Sequence, residues 1–224
     1  PGARLNMAHP LTRGLVGCWL LNENGGVRAL DLSPYANHGQ LYGFDSPPRR
    51  SFNRLKFDGV DDYVNVGKAV RLHFAGNFTI EVWINISALP DLTNEVIVGD
   101  YDGNYRGYRL WIETDGTCLF SVGRLSDTTL STVTVTVVVG LNTWHHIVGV
   151  YDGVVPAVYV NTAKTSGSAY APIEAEISNT LFGKAQWDST FFTGRLALVR
   201  IYNRALNADE IKRLYLEPYG MFLR

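Results

Sequence analysis

Two short stretches of the sequence place aromatic rings next to amide, carboxylate or guanidinium groups, a combination that suits the recognition of sugars. Aromatic rings stack on pyranose faces, and neighbouring polar groups bond the sugar hydroxyls. The candidate ligand-binding residues are Tyr101, Asp102, Asn104, Tyr105 and Arg106 in the first stretch and Trp187 and Asp188 in the second. Each stretch also has the composition of a hairpin tip, and for each one alone that structural interpretation is the simpler.

Side chains with metal-binding or catalytic chemistry do not occur at the spacings that those functions need. His145 and His146 are adjacent in a strand-like run, so they point to opposite faces of a sheet and cannot hold one ion together. The stretch 99–104 has the composition of a calcium loop, but Tyr105 replaces the turn glycine of the EF-hand pattern and Trp111 replaces its glutamate. No Gly-x-Ser-x-Gly turn frames a catalytic serine.

The overall composition argues against nucleic acid as a partner and against a membrane span. The net charge is −1 and 18% of the residues are charged, so the chain lacks the basic surface that a phosphate backbone requires. No run reaches the roughly 20 apolar residues of a transmembrane helix. The stretch 1–14 lacks the apolar core of a signal peptide, so we expect any export route to lie outside this chain.

The two cysteines, Cys18 and Cys118, each stand inside an apolar strand-like run. This setting favours buried, reduced thiols over a disulfide. A bridge would require their strands to be neighbours, and the sequence does not give that distance.

Short apolar runs with turn signals between them predict an all-β chain of about a dozen strands, which is typical of a sandwich or jelly roll. The clearest run is Phe78–Ile86, in which every second residue is apolar and belongs to one face. Asp115-Gly116 predicts a hairpin, and a second hairpin is predicted around 58–62. Four tryptophans fall inside strands and are expected to pack rather than to bind sugar: Trp19, Trp83, Trp111 and Trp144. We expect one domain over 1–224, with a core at about 14–215 and short terminal arms.

The stretch Gly194–Tyr215 predicts a strand followed by the only well-signalled helix of the sequence. Asn207 is the expected N-cap, because its side chain can accept a hydrogen bond from the amide of Glu210, whose carboxylate can bond back. Leu206 and Ile211 have the spacing of a hydrophobic staple.

The ordered segments FDGVDDYVNVG, FTIEVWINI, TWHHIVGVYDG, VYVN and GRLALVRIYNRALNADEIKRLY resemble those of laminin G-like members of the concanavalin A-like lectin and glucanase superfamily. The resemblance covers nearly the whole chain, from Gly14 to Tyr215. It implies an all-β jelly-roll sandwich of two antiparallel sheets, one curved into a shallow concave face, with one short C-terminal helix. The flanks HPLTRGLVGCWLLNENGG and LYLEPYGMFLR resemble those of stand-alone laminin G-like proteins in the virions of tailed bacteriophages.

The resemblance also indicates which chemistry to look for, and the chain departs from its relatives there. Glucanases of the superfamily space their acids as Glu-x-Asp-x-(x)-Glu along one strand, which places an acid and a nucleophile on one sheet face. Glu174 and Glu176 lack a third acid, and Glu81 shares its strand face only with Trp83 and Asn85. We therefore expect no enzymatic activity.

Laminin G-like domains often hold one calcium ion, which the resemblance makes the expected cofactor if there is one. Oxygen ligands of the kind that calcium prefers are available at Asp31, Asn37, Asp58, Asp61 and Asp62. Many relatives carry two acids in the strand before the helix, and here Ala197 and Leu198 stand in those places. This departure lowers the expectation of structural calcium, and a turn is the simpler interpretation of Asp61-Asp62.

These observations predict a non-enzymatic binding or structural protein. The resemblance of the flanks implies an exposed capsid or tail decoration protein on a virion surface, with other virion proteins, copies of itself or cell-surface glycans as partners. The alternative is a carbohydrate-binding module of a bacterial or secreted protein, and a glucanase-like enzyme is the third hypothesis. The run Leu130–Val139 is uncharged and would be prone to pairing as an open edge, so we expect self-association. The apolar C-terminal residues are expected to dock on the domain or on a partner.

Overall fold

The chain folds into two antiparallel sheets packed face to face, as seen in a computed structural model that describes residues 2–22, 26–45, 54–91, 93–101, 106–124, 129–170, 173–174 and 178–223. The strands are β1 (Leu15–Trp19), β2 (Arg28–Ala29), β3 (Gly39–Tyr42), β4 (Leu55–Asp58), β5 (Tyr63–Gly67), β6 (Phe78–Ile86), β7 (Glu95–Tyr101), β8 (Gly107–Ile112), β9 (Thr117–Arg124), β10 (Thr129–Val138), β11 (Trp144–Tyr151), β12 (Pro156–Val160), β13 (Ala163–Ser166), β14 (Thr180–Phe182) and β15 (Thr193–Tyr202). The helix α1 (Ala208–Leu216) follows β15, and two 3₁₀ turns lie at Pro10–Thr12 and Val70–Leu72.

The strand order confirms the jelly-roll sandwich that the sequence predicts. The seven-stranded sheet has the order β1–β15–β6–β11–β12–β13, and β4 pairs with the first half of β15 on the side where β1 pairs with its second half. The eight-stranded sheet has the order β10–β9–β8–β7–β14–β5–β3–β2. In this sheet β14 lies between β7 and β5. Neighbouring strands therefore come from distant parts of the sequence, as in other Greek-key sandwiches.

The core lies between the two sheets and is built by the alternation of side chains along each strand. In β6 the predicted apolar residues are all fully buried in this core: Phe78, Ile80, Val82, Ile84 and Ile86. Trp19 of one sheet meets Phe182 of the other edge to face, with ring centroids 5.1 Å apart. Each such side chain contributes about 1.5–3 kcal/mol through burial. Cys18 and Cys118 are buried and unbridged, and burial raises the pKa of each thiol to about 12.

Helix α1 and the chain ends cover the outer face of the seven-stranded sheet. The predicted capping box is present, with Asn207 and Glu210 bonding each other's backbone amides at 2.9 and 3.0 Å. The staple residues Leu206 and Ile211 are buried in a second apolar cluster, which also contains Met221 of the C-terminal segment. Helix α1 has nine residues and is too short to cross a membrane. In the described parts of the chain there is no helix that is longer than α1.

Two features of the fold differ from expectation. The hairpin predicted around 58–62 is wrong, because β4 pairs with β15 in one sheet whereas β5 pairs with β3 and β14 in the other. Both strands alternate apolar residues into the same core from opposite sides, so their sequences look like those of a hairpin. The hairpin at 115–116 is confirmed, because β8 and β9 pair directly.

The polar face of β6 is also buried, because the C-terminal segment and helix lie over it.

Candidate ligand-binding site

The structure brings together two residues that the sequence places in separate candidate stretches. Tyr101 ends β7, and Trp187 lies in the loop that follows β14, the neighbour of β7 in the sheet. That loop leaves the sheet at Gly183, whose φ of +79° is costly for other residues, and a bridge between Lys184 and Phe191 closes it. The rings of Tyr101 and Trp187 meet edge to face at 4.8 Å between centroids.

Arg109 is the third member of this group, and its position follows from the strand pairing. It lies opposite Gly99 of β7 and two residues before Trp111 of β8, so Arg109 and Trp111 share the outer face of the eight-stranded sheet. The guanidinium carbon lies 4.1 Å from the ring centroid of Trp111, 4.6 Å from that of Tyr101 and 5.0 Å from that of Trp187. We call Tyr101, Arg109, Trp111 and Trp187 the arginine–aromatic cluster.

Exposure within the arginine–aromatic cluster is uneven. Trp187 is 40% exposed, whereas Tyr101 and Trp111 are 6% and 8% exposed. The indole of Trp111 is fixed by a hydrogen bond of 3.1 Å from its Nε1 to Ser121 Oγ, which is 3.0 Å from Thr132 Oγ1. Within the cluster, the ring of Trp187 is therefore the one that solvent reaches, and it packs on side chains that other contacts hold in place.

The electrostatics of the cluster are those of a partly desolvated cation. Burial lowers the pKa of Arg109, and the nearby Tyr101 and Asp188 only partly offset this effect. Among the residues that the structure describes, none accepts a hydrogen bond from the guanidinium, and its Nε is buried without a partner. Asp188 uses its Oδ1 to accept hydrogen bonds from the amide and hydroxyl of Thr190, which hold the loop turn.

A second group of rings continues the same outer face. Tyr42 and Tyr63, paired across β3 and β5, stack with their centroids 4.9 Å apart. Lys184 places its Nζ 4.8 Å from the centroid of Tyr63 and 5.0 Å from that of Phe191. We call Tyr42, Tyr63, Lys184 and Phe191 the lysine–aromatic cluster. The loop 184–191 contributes to both clusters, so the two lie on one continuous surface.

The other predicted binding residues have mixed outcomes. Arg106 is partly buried just before β8, and Asp188 is exposed beside Trp187. Asp102, Asn104 and Tyr105 lie outside the described residues. Arg109 was not among the residues predicted from the sequence, and Trp111 was predicted to be a packing residue. Their two-residue spacing could have identified them as neighbours, because it puts both side chains on one strand face.

The candidate calcium ligands fall into two separate groups. Asp31 is saturated by four donors: its Oδ1 accepts from the amides of Cys18 and Ser33, and its Oδ2 accepts from Ser33 Oγ and the amide of Asn37, all at 2.7–2.8 Å. Asn37 donates its side-chain amide to the carbonyl of Val16. Asp31 and Asn37 therefore organise a loop against β1, and their side-chain contacts give no support to a metal role.

Asp58, Asp61 and Asp62 form the second group, which we call the acidic loop. Ligand oxygens of all three lie within 4.8 Å of one another. Asp58 and Asp62 border a cavity of about 300 Å³ together with Lys56 and Asp45. Burial raises the pKa of Asp62 to about 7, and the charge of Asp58 adds to the effect. A cation would relieve this repulsion, so the residues fit calcium. With one oxygen from each carboxylate they would supply three of the six to eight ligands that calcium takes.

Glu81 is not the isolated carboxylate that the sequence suggests. Arg200 Nη1 donates to both of its oxygens at 2.8 Å, His146 Nε2 lies 3.0 Å from Oε1, and all three side chains are fully buried. Burial acts to raise the pKa of Glu81, but the attraction of Arg200 and the contacts with His146 outweigh it and lower the pKa. We call these residues the buried charge network. Arg200 Nη2 also donates to the carbonyl of Pro218, which ties the network to the C-terminal segment.

The places where relatives carry two acids line an apolar cavity here. Ala197 and Leu198 are buried, and they border a cavity of about 240 Å³ with Trp83 and Trp144. Trp19 and Trp111 are buried as predicted, whereas Trp83 and Trp144 are half-buried and line this cavity instead of the sandwich core. None of the described residues that line this cavity has a carboxylate side chain.

Comparison with known proteins decides the family. The profile of the Laminin_G_3 family, described as concanavalin A-like lectin/glucanases superfamily, matches residues 58–212, well over half of the chain. The chain belongs to this family. No curated protein sequence matches this laminin G-like chain.

Solved structures share the fold of the laminin G-like chain. The sialidase of Trypanosoma rangeli in complex with sialic acid superposes with a TM-score of 0.71 at 21% identity, over 93% of this chain and 33% of that one. The binding domain of Paraclostridial mosquitocidal protein 1 gives 0.72 at 20% identity, over 94% and 53%. A botulinum neurotoxin type C structure, reported with cell entry through two ganglioside molecules, gives 0.70 at 15% identity, over 95% and 53%. The chain spans a third to about half of these proteins, and at these identities the likeness concerns the fold.

Proposed function

We propose that this laminin G-like chain is a non-enzymatic carbohydrate-binding domain whose site is the outer face of the eight-stranded sheet. The observation that carries the proposal is Trp187, an indole that is 40% exposed while the side chains of Tyr101 and Arg109 fix it from beneath. A ring held in place loses little conformational entropy when a sugar stacks on it.

The surroundings of Trp187 offer the polar groups that sugar hydroxyls require. The Arg109 guanidinium lies 5.0 Å from its ring, and Asp188 and Thr190 follow it in the loop. The lysine–aromatic cluster adds a second set of rings, with Tyr42 43% exposed. The surface can therefore contact more than one sugar residue of a chain.

The names of the structural neighbours support a carbohydrate role without assigning one. Sialic acid is bound to the sialidase, and gangliosides are named for the neurotoxin. The family description itself includes lectins. These are properties of the relatives, and the proposal for this chain rests on its own exposed indole.

A glycan array tests this function. We expect wild-type protein to bind a subset of immobilised glycans and Trp187→Ala to lose that binding. Tyr35→Ala is the matched control, because Tyr35 is 41% exposed and belongs to neither cluster. Binding that survives Trp187→Ala, or that Tyr35→Ala removes equally, would contradict the assigned site.

The rival function is glycan hydrolysis, and the acidic loop is the candidate position for its acids. This loop borders a cavity and contains a carboxyl group whose pKa is raised to about 7, a property that catalytic acids share. We expect no release of reducing ends from the glycans that bind. Release that Asp62→Asn abolishes would replace the binding proposal with an enzymatic one.

We further propose that the domain is displayed on a virion, where it decorates a capsid or tail and associates with copies of itself. The resemblance of the flanking segments to those of phage virion proteins supports the display. The self-association is supported by β10, the terminal strand of the eight-stranded sheet, which pairs with β9 alone among the described strands. Such an edge can pair with another chain. Mass spectrometry of purified particles should find the chain, and its absence would exclude the virion role. Light scattering should show an oligomer that Val138→Lys dissociates, because Val138 is exposed near the end of β10.

A further inference from the structure

We infer that the arginine–aromatic cluster selects sugars that carry a carboxylate, and that Arg109 is the residue that bonds the acid group. This inference rests on the proposed carbohydrate-binding function and names its ligand class. It predicts a preference for uronic or sialic acid residues over their neutral counterparts.

The packing of Arg109 leaves its hydrogen-bonding edge for a ligand. The guanidinium carbon lies over three rings, 4.1–5.0 Å from their centroids. These rings attract the charge of the guanidinium, but they accept no conventional hydrogen bond from its N–H groups. No acceptor among the described residues bonds those groups.

The charge of Arg109 is also incompletely balanced. Burial lowers its pKa, and in the described part of the chain no carboxylate is hydrogen-bonded to the guanidinium. Asp188 is the nearby carboxylate that acts on it, but the hydrogen bonds of Asp188 go to Thr190. A bound carboxylate would restore the lost solvation with two parallel hydrogen bonds, the arrangement for which the guanidinium fork is shaped.

The exposed ring lies where the rest of such a sugar would be. A pyranose stacked on Trp187 would hold a carboxylate on its edge beside the guanidinium, whose carbon is 5.0 Å from the indole centroid. A neutral sugar would gain the stacking but not the paired charge. Hydrogen bonds to charged groups are worth about 1.5–3 kcal/mol, which corresponds to about tenfold or more in affinity.

Matched pairs of glycans test the inference by titration calorimetry. One pair is sialyllactose and lactose, and the other is a glucuronic acid polysaccharide and its carboxyl-reduced form. We expect the wild type to bind at least one acidic member about tenfold more tightly than its neutral partner. Whichever pair shows the preference identifies sialic or uronic acid as the source. Raising the salt from 50 to 500 mM should weaken only the acidic binding.

Variants of Arg109 assign the preference to this residue. Arg109→Gln should bring the affinities for the acidic and the neutral member of a pair to the same value, and both should fall because Arg109 also supports Trp187. Arg109→Lys should keep part of the preference because the charge remains without the fork. Arg71→Gln is the matched control, since Arg71 also lies over a ring, 4.4 Å from the centroid of Tyr35, but outside the cluster. Melting curves verify folding, and wild-type selectivity and salt dependence decide the question if Arg109→Gln does not fold.

The outcomes separate the inference from the function beneath it. Equal binding of acidic and neutral partners, abolished by Trp187→Ala, would overturn the acid preference and keep the carbohydrate-binding function. A preference that Arg71→Gln reduces as much as Arg109→Gln would overturn the role of Arg109. Binding of none of the four glycans, together with a glycan array without signal, would overturn the proposed function itself.

Discussion

The folded protein disfavours the charged form of the Asp62 carboxyl group. Its folded pKa of about 7, against an ordinary value of 3.8, means that the folded chain keeps a proton that the unfolded chain has lost between these two pH values. The stability contributed by this group is complete below about pH 3.8 and is lost as the pH rises towards 7. Burial is the first cause, and the charges of Asp58 and Asp61 add to it.

Asp62→Asn should therefore stabilise the protein at pH 8 but not at pH 4. We expect a gain in the free energy of unfolding of about 1–2 kcal/mol at pH 8, after allowance for solvent screening. Urea unfolding of both proteins at the two pH values measures it, and taking the difference cancels the titration of other groups. A difference that stays constant with pH would show that Asp62 titrates normally.

Calcium should act on the same loop. If it binds to the acidic loop, millimolar calcium should raise the melting temperature of the wild type at pH 8, and a chelator should reverse the rise. The Asp62→Asn variant should respond less. An equal response of both proteins would place any calcium site elsewhere.

The buried charge network predicts a large effect from a small change. Glu81→Gln leaves Arg200 buried without a counter-charge and should cost about 3–5 kcal/mol in unfolding free energy. Glu210→Gln is the control, because its pair with Arg204 is partly exposed and glutamine can still complete the capping box. Its cost should stay below about 1 kcal/mol in the same urea titrations. Similar losses in both variants would contradict the account of the network.

Sequence predicts candidate binding residues only where the chemistry is local. Tyr101 and Trp187 stand beside polar neighbours in the sequence, so their stretches were identifiable. Arg109 depends on the pairing of β7 with β8 and on a loop almost eighty residues away, and a single sequence gives neither. The same limit applies to Glu81, whose partners lie on β11 and β15.

At the scale of elements, α1 shows local signals at their most reliable. Its cap, staple and capping box follow from side chains within five residues of one another. Asn207→Ala should lower the unfolding free energy by about 1 kcal/mol, and Asn207→Ser by only a few tenths, because serine can also accept the Glu210 amide. Thermal melts of the two variants measure the difference, and equal melting temperatures would indicate that the cap contributes nothing.

The sequence predicts where the strands lie, but it does not predict which strands pair with each other. Alternation locates β4 and β5 correctly, but it does not reveal that consecutive strands belong to opposite sheets. Alternation also predicts a polar outer face for β6, whereas α1 and the C-terminal segment bury that face. Burial of Glu81 on it required a partner charge from another strand, which only the tertiary fold supplies.

The C-terminal segment should behave as part of the domain. Met221 is buried, and Asn6 and Leu223 donate backbone hydrogen bonds that join the two chain ends. Deleting residues 217–224 should lower the melting temperature and reduce solubility, because it uncovers apolar surface and removes a partner of Arg200. Unchanged stability, solubility and oligomeric state would show that the segment serves only a partner.

At the scale of the whole molecule, the two outer faces of the sandwich differ in what covers them. The seven-stranded sheet is covered by α1 and by both chain ends, and its charged residues Glu81 and Arg200 are fully buried. The eight-stranded sheet carries the arginine–aromatic and lysine–aromatic clusters on its outer face. The outer face of the eight-stranded sheet is therefore the face that we propose for binding, and the exposed indole of Trp187 lies within it.

The most direct test of this account is the affinity of the wild type and of Trp187→Ala for one glycan selected from the array, measured by titration calorimetry. Stacking on an aromatic ring is worth about 1–3 kcal/mol per base in nucleic-acid sites, and a similar value for a sugar predicts a loss of tenfold or more. Tyr35→Ala should bind like the wild type. Equal affinity of the wild type and Trp187→Ala would contradict the assignment of this face.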